Sequence, residues 1–177
     1  AVNTREPYRE SHPTGVPPNH YGRSKLHAEL LVREAWPQHF IVRVAALFGV
    51  GRKNFVSWVL DEADPASPLT IVHDRFTTPT WTDDLAGQLV ALLATPYYGT
   101  YHAAGVGVTS WYELAVEALT LAGEDPRGVT PVADVELDSP ARRAPYTALD
   151  NHMLRLRGIH RMLPWREALA KFIGGIG

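Results

Sequence analysis

Apolar positions along this chain fall into short runs, and runs with a helical period alternate with runs too dense or too brief to hold one. Residues 19–36 carry Lys25, Leu26, Ala28, Glu29, Leu30, Leu31, Arg33, Glu34 and Ala35, all strong helix formers, with Asn19 placed to cap the start and Pro37 to stop the end. A helix is predicted there. Leu26, Leu30 and Arg33 form one stripe and Tyr21, Lys25, Ala28 and Val32 another, so both faces of this helix are expected to be largely covered by protein. Residues 40–48, Phe-Ile-Val-Arg-Val-Ala-Ala-Leu-Phe, are nearly continuously apolar and close on Gly49, the pattern of one strand buried on both faces in a parallel sheet.

The alternation continues downstream. A helix is predicted from residue 54 or 55 to about 63, a strand over 69–72, and a helix from Thr82, as N-cap, through Leu93, with Asp83 and Asp84 at its positive dipole end. A strand follows over 99–103, then a helix opened by the capping-box spacing Ser110-Trp-Tyr-Glu113 and ended by Gly123. Residues 129–133 read as a last strand, and a terminal helix opens at Leu163-Pro164-Trp165 and runs through Ile173, with Gly174 past its end. Strand and helix signals in this order predict an α/β fold with parallel strands and crossover helices.

Composition narrows the function classes. The 177 residues are 45% hydrophobic and 20% charged, with 17 Lys plus Arg against 19 Asp plus Glu, so no basic stripe awaits a phosphate backbone and nucleic acid is not an expected partner. No apolar run reaches the ~18 residues that span a bilayer, so no membrane association is expected and a cytoplasmic location is. Without cysteine, thiolate metal sites and a Cys nucleophile are excluded, and the eight His are scattered with no His-Glu-x-x-His pair. The chain opens on Ala1 rather than Met, and residues 1–18 are polar, Pro-rich and loop-like.

The most informative local chemistry is Tyr21-Gly22-Arg23-Ser24-Lys25. Four residues apart at a helix start, the phenol and the ammonium share a face, and the ammonium can stabilise a phenolate as the phenol gives its proton to a carbonyl oxygen. A Tyr at a helix start is also a common packing residue. The five Trp lie on or beside predicted helices, where they anchor a core. The adjacent pair Arg142-Arg143 is more plausibly a solvated or ion-paired surface feature than a diphosphate clamp.

The segment Tyr21-Gly-Arg-Ser-Lys25-Leu-x-Ala-Glu29, preceded by Glu6-Pro7-Tyr8-x-Glu10 and followed by Leu47-Phe48-Gly49, resembles the extended short-chain dehydrogenase/reductase family. It looks in particular like the dTDP-4-dehydrorhamnose reductase branch. The resemblance runs on through Lys53-Asn54-Phe55-Val56, His73-Asp74-Arg75-Phe76-Thr77-Thr78-Pro79-Thr80, Gly99-Thr100-Tyr101-His102, Ala141 to Pro145, and Leu163-Pro164-Trp165-Arg166-Glu167.

That resemblance implies a partial Rossmann-like doubly wound parallel sheet plus a small α/β substrate-binding lobe. Residues 1–50 would end the dinucleotide-binding fold and 51–177 would form mainly the sugar-nucleotide lobe. It implies Tyr21 as proton donor to a 4-keto oxygen and Lys25 as the partner that holds the nicotinamide ribose. Val44, Ala45 and Ala46 would lie beside the nicotinamide, and Ala46, Asn54, Phe55, Arg75 and Thr80 would border the substrate. The reductant would be NADP or NAD in reduced form and the substrate a nucleotide-linked 4-keto-6-deoxysugar, with a homodimer left open. Asn54 is equally a helix cap, Phe55 a core anchor, and Pro79-Thr80 a turn.

Two departures from the family pattern stand out. Ala46 occupies a place where the family commonly has Trp, which bears on the substrate more than on the reaction. No Gly-x-x-Gly-x-x-Gly or Gly-x-Gly-x-x-Gly follows a strand to cradle a pyrophosphate, and the family's catalytic Ser or Thr would precede Ala1. The expectation is therefore the carboxyl-terminal part of a reductase whose amino-terminal dinucleotide-binding half is missing, inactive alone. The alternatives are a non-catalytic regulatory or binding subunit of the same fold, or another extended reductase or epimerase of sugar nucleotides.

Overall fold

Asn19 does start the first helix: its side chain accepts a hydrogen bond from the Gly22 amide at 2.8 Å, and α1 (His20–Ala35) ends where Trp36 turns extended. The structure, a computed structural model, describes residues 6–136 and 144–175; Arg142, Arg143 and the opening residues lie outside these. The long apolar run after α1 is not one strand. It forms β1 (Phe40–Arg43) and β2 (Leu47–Phe48), separated at residues 44–46, where Ala46 takes a left-handed φ of 42°. A strand cannot pass through that conformation, so the direction of the chain changes there.

The rest follows in order: α2 (Phe55–Glu62), β3 (Leu69–Val72), β4 (Phe76–Thr77), β5 (Thr80–Trp81), α3 (Thr82–Leu93), β6 (Gly99–His102), β7 (Thr109–Ser110), α4 (Trp111–Ala122), β8 (Val129–Val132), α5 (His152–Leu156) and α6 (Trp165–Gly174). The predicted capping box is present in α4, where Ser110 and Glu113 bond each other's backbone, and Gly123 closes that helix in the left-handed region at φ 76°. The N-cap of α3 is Trp81 rather than Thr82 and makes no side-chain cap. Thr82 is packed against Gly49 so closely that a Cβ on the glycine would lie 1.9 Å from its hydroxyl oxygen. Pro164 is the cap of α6 rather than its first residue, and Gly174 ends inside the helix.

Three of the strand pairs are parallel: β1 with β6, β2 with β5, and β3 with β8, whereas the short β4 and β7 pair antiparallel. Parallel neighbours need long crossovers, and the intervening helices supply them, giving the expected α/β class. In the β1–β6 pair Phe40 stands opposite Gly99 and Arg43 opposite His102.

Burial is concentrated in the downstream lobe. Phe48, Val56, Leu114, Ala118, Trp165, Ala168, Leu169 and Phe172 form one cluster, seating α2, α4 and α6 against β2. Val59, Ile71, Ala115, Leu119 and Val129 form a second between α2, α4 and the β3–β8 ribbon. Leu92, Tyr101, Ala103, Leu154 and Met162 close a third around β6. Truncating a fully buried leucine such as Leu114 or Leu169 in cores of this kind costs about 2–5 kcal/mol.

The upstream part differs from expectation. No residue of α1 is buried, and Leu30 and Trp36 are 54% and 61% exposed, because no other described element covers that face. β1 is likewise only half-buried apart from Ile41.

The loop before α1 is tied to the lobe by residues 8–10. Tyr8 pairs with the 148–150 segment, its amide donating to Ala148 and its carbonyl accepting from Asp150, both at 2.8 Å. The Glu10 carboxylate accepts from the backbone amides of His102 at 2.9 Å and Met153 at 3.1 Å. His102 is buried, and its Nδ1 donates to the Tyr8 carbonyl at 2.9 Å. Burial pushes the imidazole pKa of His102 down, against an opposing pull from Glu10, and burial does the same to His160. A base with a depressed folded pKa must take up protons on unfolding once pH drops below its ordinary value of about 6.5, so stability is full above that value and falls below it. Urea unfolding of the chain should therefore give a lower midpoint at pH 5 than at pH 8. In His102→Gln the difference should shrink, leaving the part due to His160; an unchanged difference would show that His102 does not titrate in this way.

Candidate active site

One row of side chains on α1 organises the candidate site. Tyr21, Lys25, Glu29 and Arg33 follow at intervals of four and so form a single ridge. At its carboxyl end the ridge is bonded to the sheet. Arg43 reaches Glu29 with both Nε and a terminal nitrogen, each at 2.7 Å, a forked pair with 20% and 16% of the two side chains exposed. Arg33 donates to Glu29 at 3.0 Å and to the Thr100 hydroxyl at 3.1 Å. The Arg43 guanidinium holds the Glu29 carboxyl below its ordinary pKa, and Glu29 in turn raises Arg43.

These bonds set the direction of the helix. Glu29 meets Arg43, the last residue of β1, whereas Arg33 meets Thr100, which lies level with Ile41 two residues earlier. Moving toward the start of α1 therefore moves toward the carboxyl ends of the strands. At 1.5 Å of rise per residue, Lys25 lies about 6 Å and Tyr21 about 12 Å beyond the level of Glu29. Tyr21 and Lys25 thus belong to the part of α1 that runs toward the carboxyl ends of β1 and β6, the side at which open α/β sheets bind ligands.

Tyr21 is 72% exposed and Lys25 is exposed too, with the ammonium 5.4 Å from the phenol ring centroid. The phenol is open to a reactant and the cation lies within cation–π reach of the ring. Residues 44–46 continue past Arg43 at the same edge, with Val44 exposed and Ala45 and Ala46 half-buried. The left-handed Ala46 is held by the Thr80 amide, which donates to its carbonyl at 3.1 Å. Non-glycine residues in that region cluster at functional sites.

The other sequence-predicted residues have different surroundings. Asn54 caps α2: it accepts from the Val56 and Ser57 amides and donates to the Gly49 and Arg52 carbonyls. Phe55 packs edge-on against Trp111 with centroids 4.7 Å apart. Thr80 is fully buried, its hydroxyl donating to the Thr78 carbonyl and accepting from the Gly105 amide at 3.2 Å. Arg75 is 7% exposed and paired with Asp134, while its Nε has no hydrogen-bond partner among the described residues. Asn54 and Thr80 thus fix loop backbone next to β2 and β5, and Phe55, at the start of α2, packs against the core of the lobe. Just past β2, an open depression of about 450 Å³ is lined by Gly49, Val50, Gly51, Arg52, Lys53, Ser57, Asp61 and Phe172.

Arg52 and the Glu29–Arg43 fork were not anticipated as parts of the site. The fork had a signal: Arg43 is the only charge in the apolar run 40–48, and Glu29 extends the spacing of Tyr21 and Lys25 by one turn. Chemically, the arrangement presents a phenol, an ammonium and, after β1, the small side chains of Ala45 and Ala46. Among the described residues no cluster of His, Asp or Glu could hold a metal ion, and no helix is long and apolar enough to cross a membrane.

Comparison with known proteins agrees with this architecture. The chain is 42% identical over 172 residues to a dTDP-4-dehydrorhamnose reductase of Streptomyces griseus, a match that takes in 93% of this chain and 56% of that protein. A crystal structure of a dTDP-4-dehydrorhamnose reductase from Clostridium acetobutylicum superposes with a TM-score of 0.91 at 35% identity, over 98% of this chain and 61% of the other. One from Bacillus anthracis, solved in complex with NADP, gives 0.88 at 34% identity over 97% and 60%. The chain thus spans somewhat more than half the length of these relatives. A family model described as the RmlD substrate binding domain matches residues 2–176, and the chain belongs to that family.

Proposed function

We propose that this chain supplies the proton-donating helix and the sugar-nucleotide lobe of an NAD(P)H-dependent reductase that converts a nucleotide-linked 4-keto-6-deoxysugar to its alcohol. The observation that carries this reading is the pairing of Tyr21 and Lys25: both exposed, one turn apart on one ridge, with the ammonium 5.4 Å from the phenol ring, on the part of α1 that runs toward the carboxyl ends of β1 and β6. The relatives named dTDP-4-dehydrorhamnose reductase, and the NADP-bound structure among them, support the substrate class and the cofactor.

The described residues suit one end of a nicotinamide dinucleotide. Lys25 would hold ribose hydroxyls, and the small side chains of Ala45 and Ala46 leave room for a flat ring beside the strand end. The Gly49-Val50-Gly51 turn between β2 and α2 is not followed by the third glycine of a Gly-x-Gly-x-x-Gly cradle, and among the described residues no strand–helix turn carries that motif for the pyrophosphate. Hydride transfer to the ketone carbon is the chemistry that the bound cofactor would supply. The Tyr21 hydroxyl then delivers its proton to the ketone oxygen as negative charge develops there. Lys25, one turn along, stabilises the phenolate left behind by through-space attraction. Arg52 and Lys53, on the loop that leads from β2 to the Asn54 cap, place two cations where the diphosphate of a sugar nucleotide would be attracted.

Two measurements test this reading. In the intact gene product that carries these residues, oxidation of NADPH by a dTDP-linked 4-keto-6-deoxysugar should lose roughly 10²–10⁴-fold in kcat in Tyr21→Phe, the usual worth of a general acid, with KM little altered. Full retention of kcat would overturn the role of Tyr21. For the 177-residue chain by itself, calorimetric titration with NADPH should show no binding tighter than millimolar; micromolar affinity would mean that these residues hold the dinucleotide without a phosphate cradle.

A further inference from the structure

Because no side chain of α1 is buried, packing alone does not hold this helix against the described sheet. Its polar attachments are concentrated at Glu29 and Arg33, at the end of the ridge away from Tyr21. Of these, the Arg43–Glu29 fork is the most directional. Two parallel N–H···O bonds at 2.7 Å fix both the distance and the plane of the carboxylate, whereas a single bond would leave the helix free to swivel. Arg43 is itself held in place as the last residue of β1, directly opposite His102. Arg43 also feels the charge of Glu10, whose own carboxylate is anchored by the His102 and Met153 amides.

We infer that the Arg43–Glu29 fork is a positioning element for the proton donor: it sets the axial and rotational seating of α1, and with it how far Tyr21 and Lys25 project past the strand ends. This rests on the assignment of Tyr21 as the acid. The geometric lever is long. From Glu29 to Tyr21 is about 12 Å along the axis, so a small tilt at the fork moves the phenol by a large fraction of an ångström. Proton transfer depends on heavy-atom distances of about 2.6–3.2 Å, and misplacement on the 1 Å scale can cost 10²-fold. Substrate affinity, which in this reading depends on the lobe downstream of residue 50, does not pass through the fork.

The test uses Glu29→Gln and Arg43→Lys. Replacing Arg43 by an apolar residue would leave Glu29 and Glu10 without their shared cation and is expected to disturb folding, so it is the less informative variant. Lysine keeps the charge and lacks the fork. In the 177-residue chain, amide hydrogen exchange over residues 22–34 should speed up at least about tenfold in Glu29→Gln while α4 keeps its protection. In the intact gene product, both variants should lower kcat by about tenfold or more, with KM for the sugar nucleotide changed less than about threefold. Arg43→Lys should recover the thermal stability of the wild type without recovering kcat.

If exchange in α1 does not change selectively, the fork does not seat the helix and the inference fails, whatever the enzyme does. If α1 loosens while kcat stays within about twofold of wild type, or Arg43→Lys restores kcat fully, directional positioning is refuted. Tyr21→Phe assayed in parallel separates these results from a failure of the functional assignment. Retained activity in that variant removes the acid itself, and the exchange result still reports on the seating of α1.

Discussion

A single guanidinium joins the two parts of this molecule that have least in common. Arg43 ends β1, and its fork to Glu29 is the strongest directional link between the first helix and the sheet. Both side chains are mostly shielded, which separates this pair from ion pairs at the surface. Lys53–Glu62 and Lys171–Glu167 are about half exposed at each end and are of the kind worth about 0–1 kcal/mol. For a shielded, bidentate pair the value lies less in net stability than in geometry, because a fork accepts only one relative orientation of its partners. A helix with no fully buried residue is thereby joined to a strand that is itself pinned by pairing.

The same charge gathers a third segment. Glu10 lies in the loop that precedes α1 and bonds the backbone at His102 and Met153, so it ties that loop to β6 and α5 while adding a second negative charge near Arg43. Loop, helix, strand and the Tyr8–Leu149 bridge consequently converge on the carboxyl end of the β1–β6 pair. In an α/β fold that end is where strands stop donating to one another and where loops can be spent on chemistry.

Most of this architecture was legible in local signals. Asn19, Asn54, Ser110 with Glu113, and Gly123 each mark a helix end by chemistry that acts within a few residues, and each functions there as expected. Prediction was poorest where the deciding atoms come from far along the chain. The run 40–48 looks like one strand because every residue in it favours one, and the break at Ala46 depends on Thr80, more than thirty positions away. Thr82 fits the pattern of a cap, but contact with Gly49 turns it into the first helical residue. The stripes of α1 are written for partners on two sides, and the described residues furnish neither in full. In the site, the Tyr–Lys spacing was visible because it is one helical turn, whereas the burial of Arg75 and Thr80 is a tertiary fact that no window of sequence contains.

Gly105 shows how tightly two loops of this fold are drawn together. A Cβ at that residue would come within 2.0 Å of the Pro79 carbonyl oxygen, so the two loops touch main chain to main chain. Contact of that kind tolerates no side chain at residue 105. The gap between the 79 and 105 loops is therefore set by the main chain, with Thr80 adding its own hydroxyl bond to the Gly105 amide at 3.2 Å. Any side chain at position 105 would have to part these two loops, and with them the β5 start that bonds Ala46, so a single hydrogen atom fixes the spacing of segments that meet from opposite ends of α3.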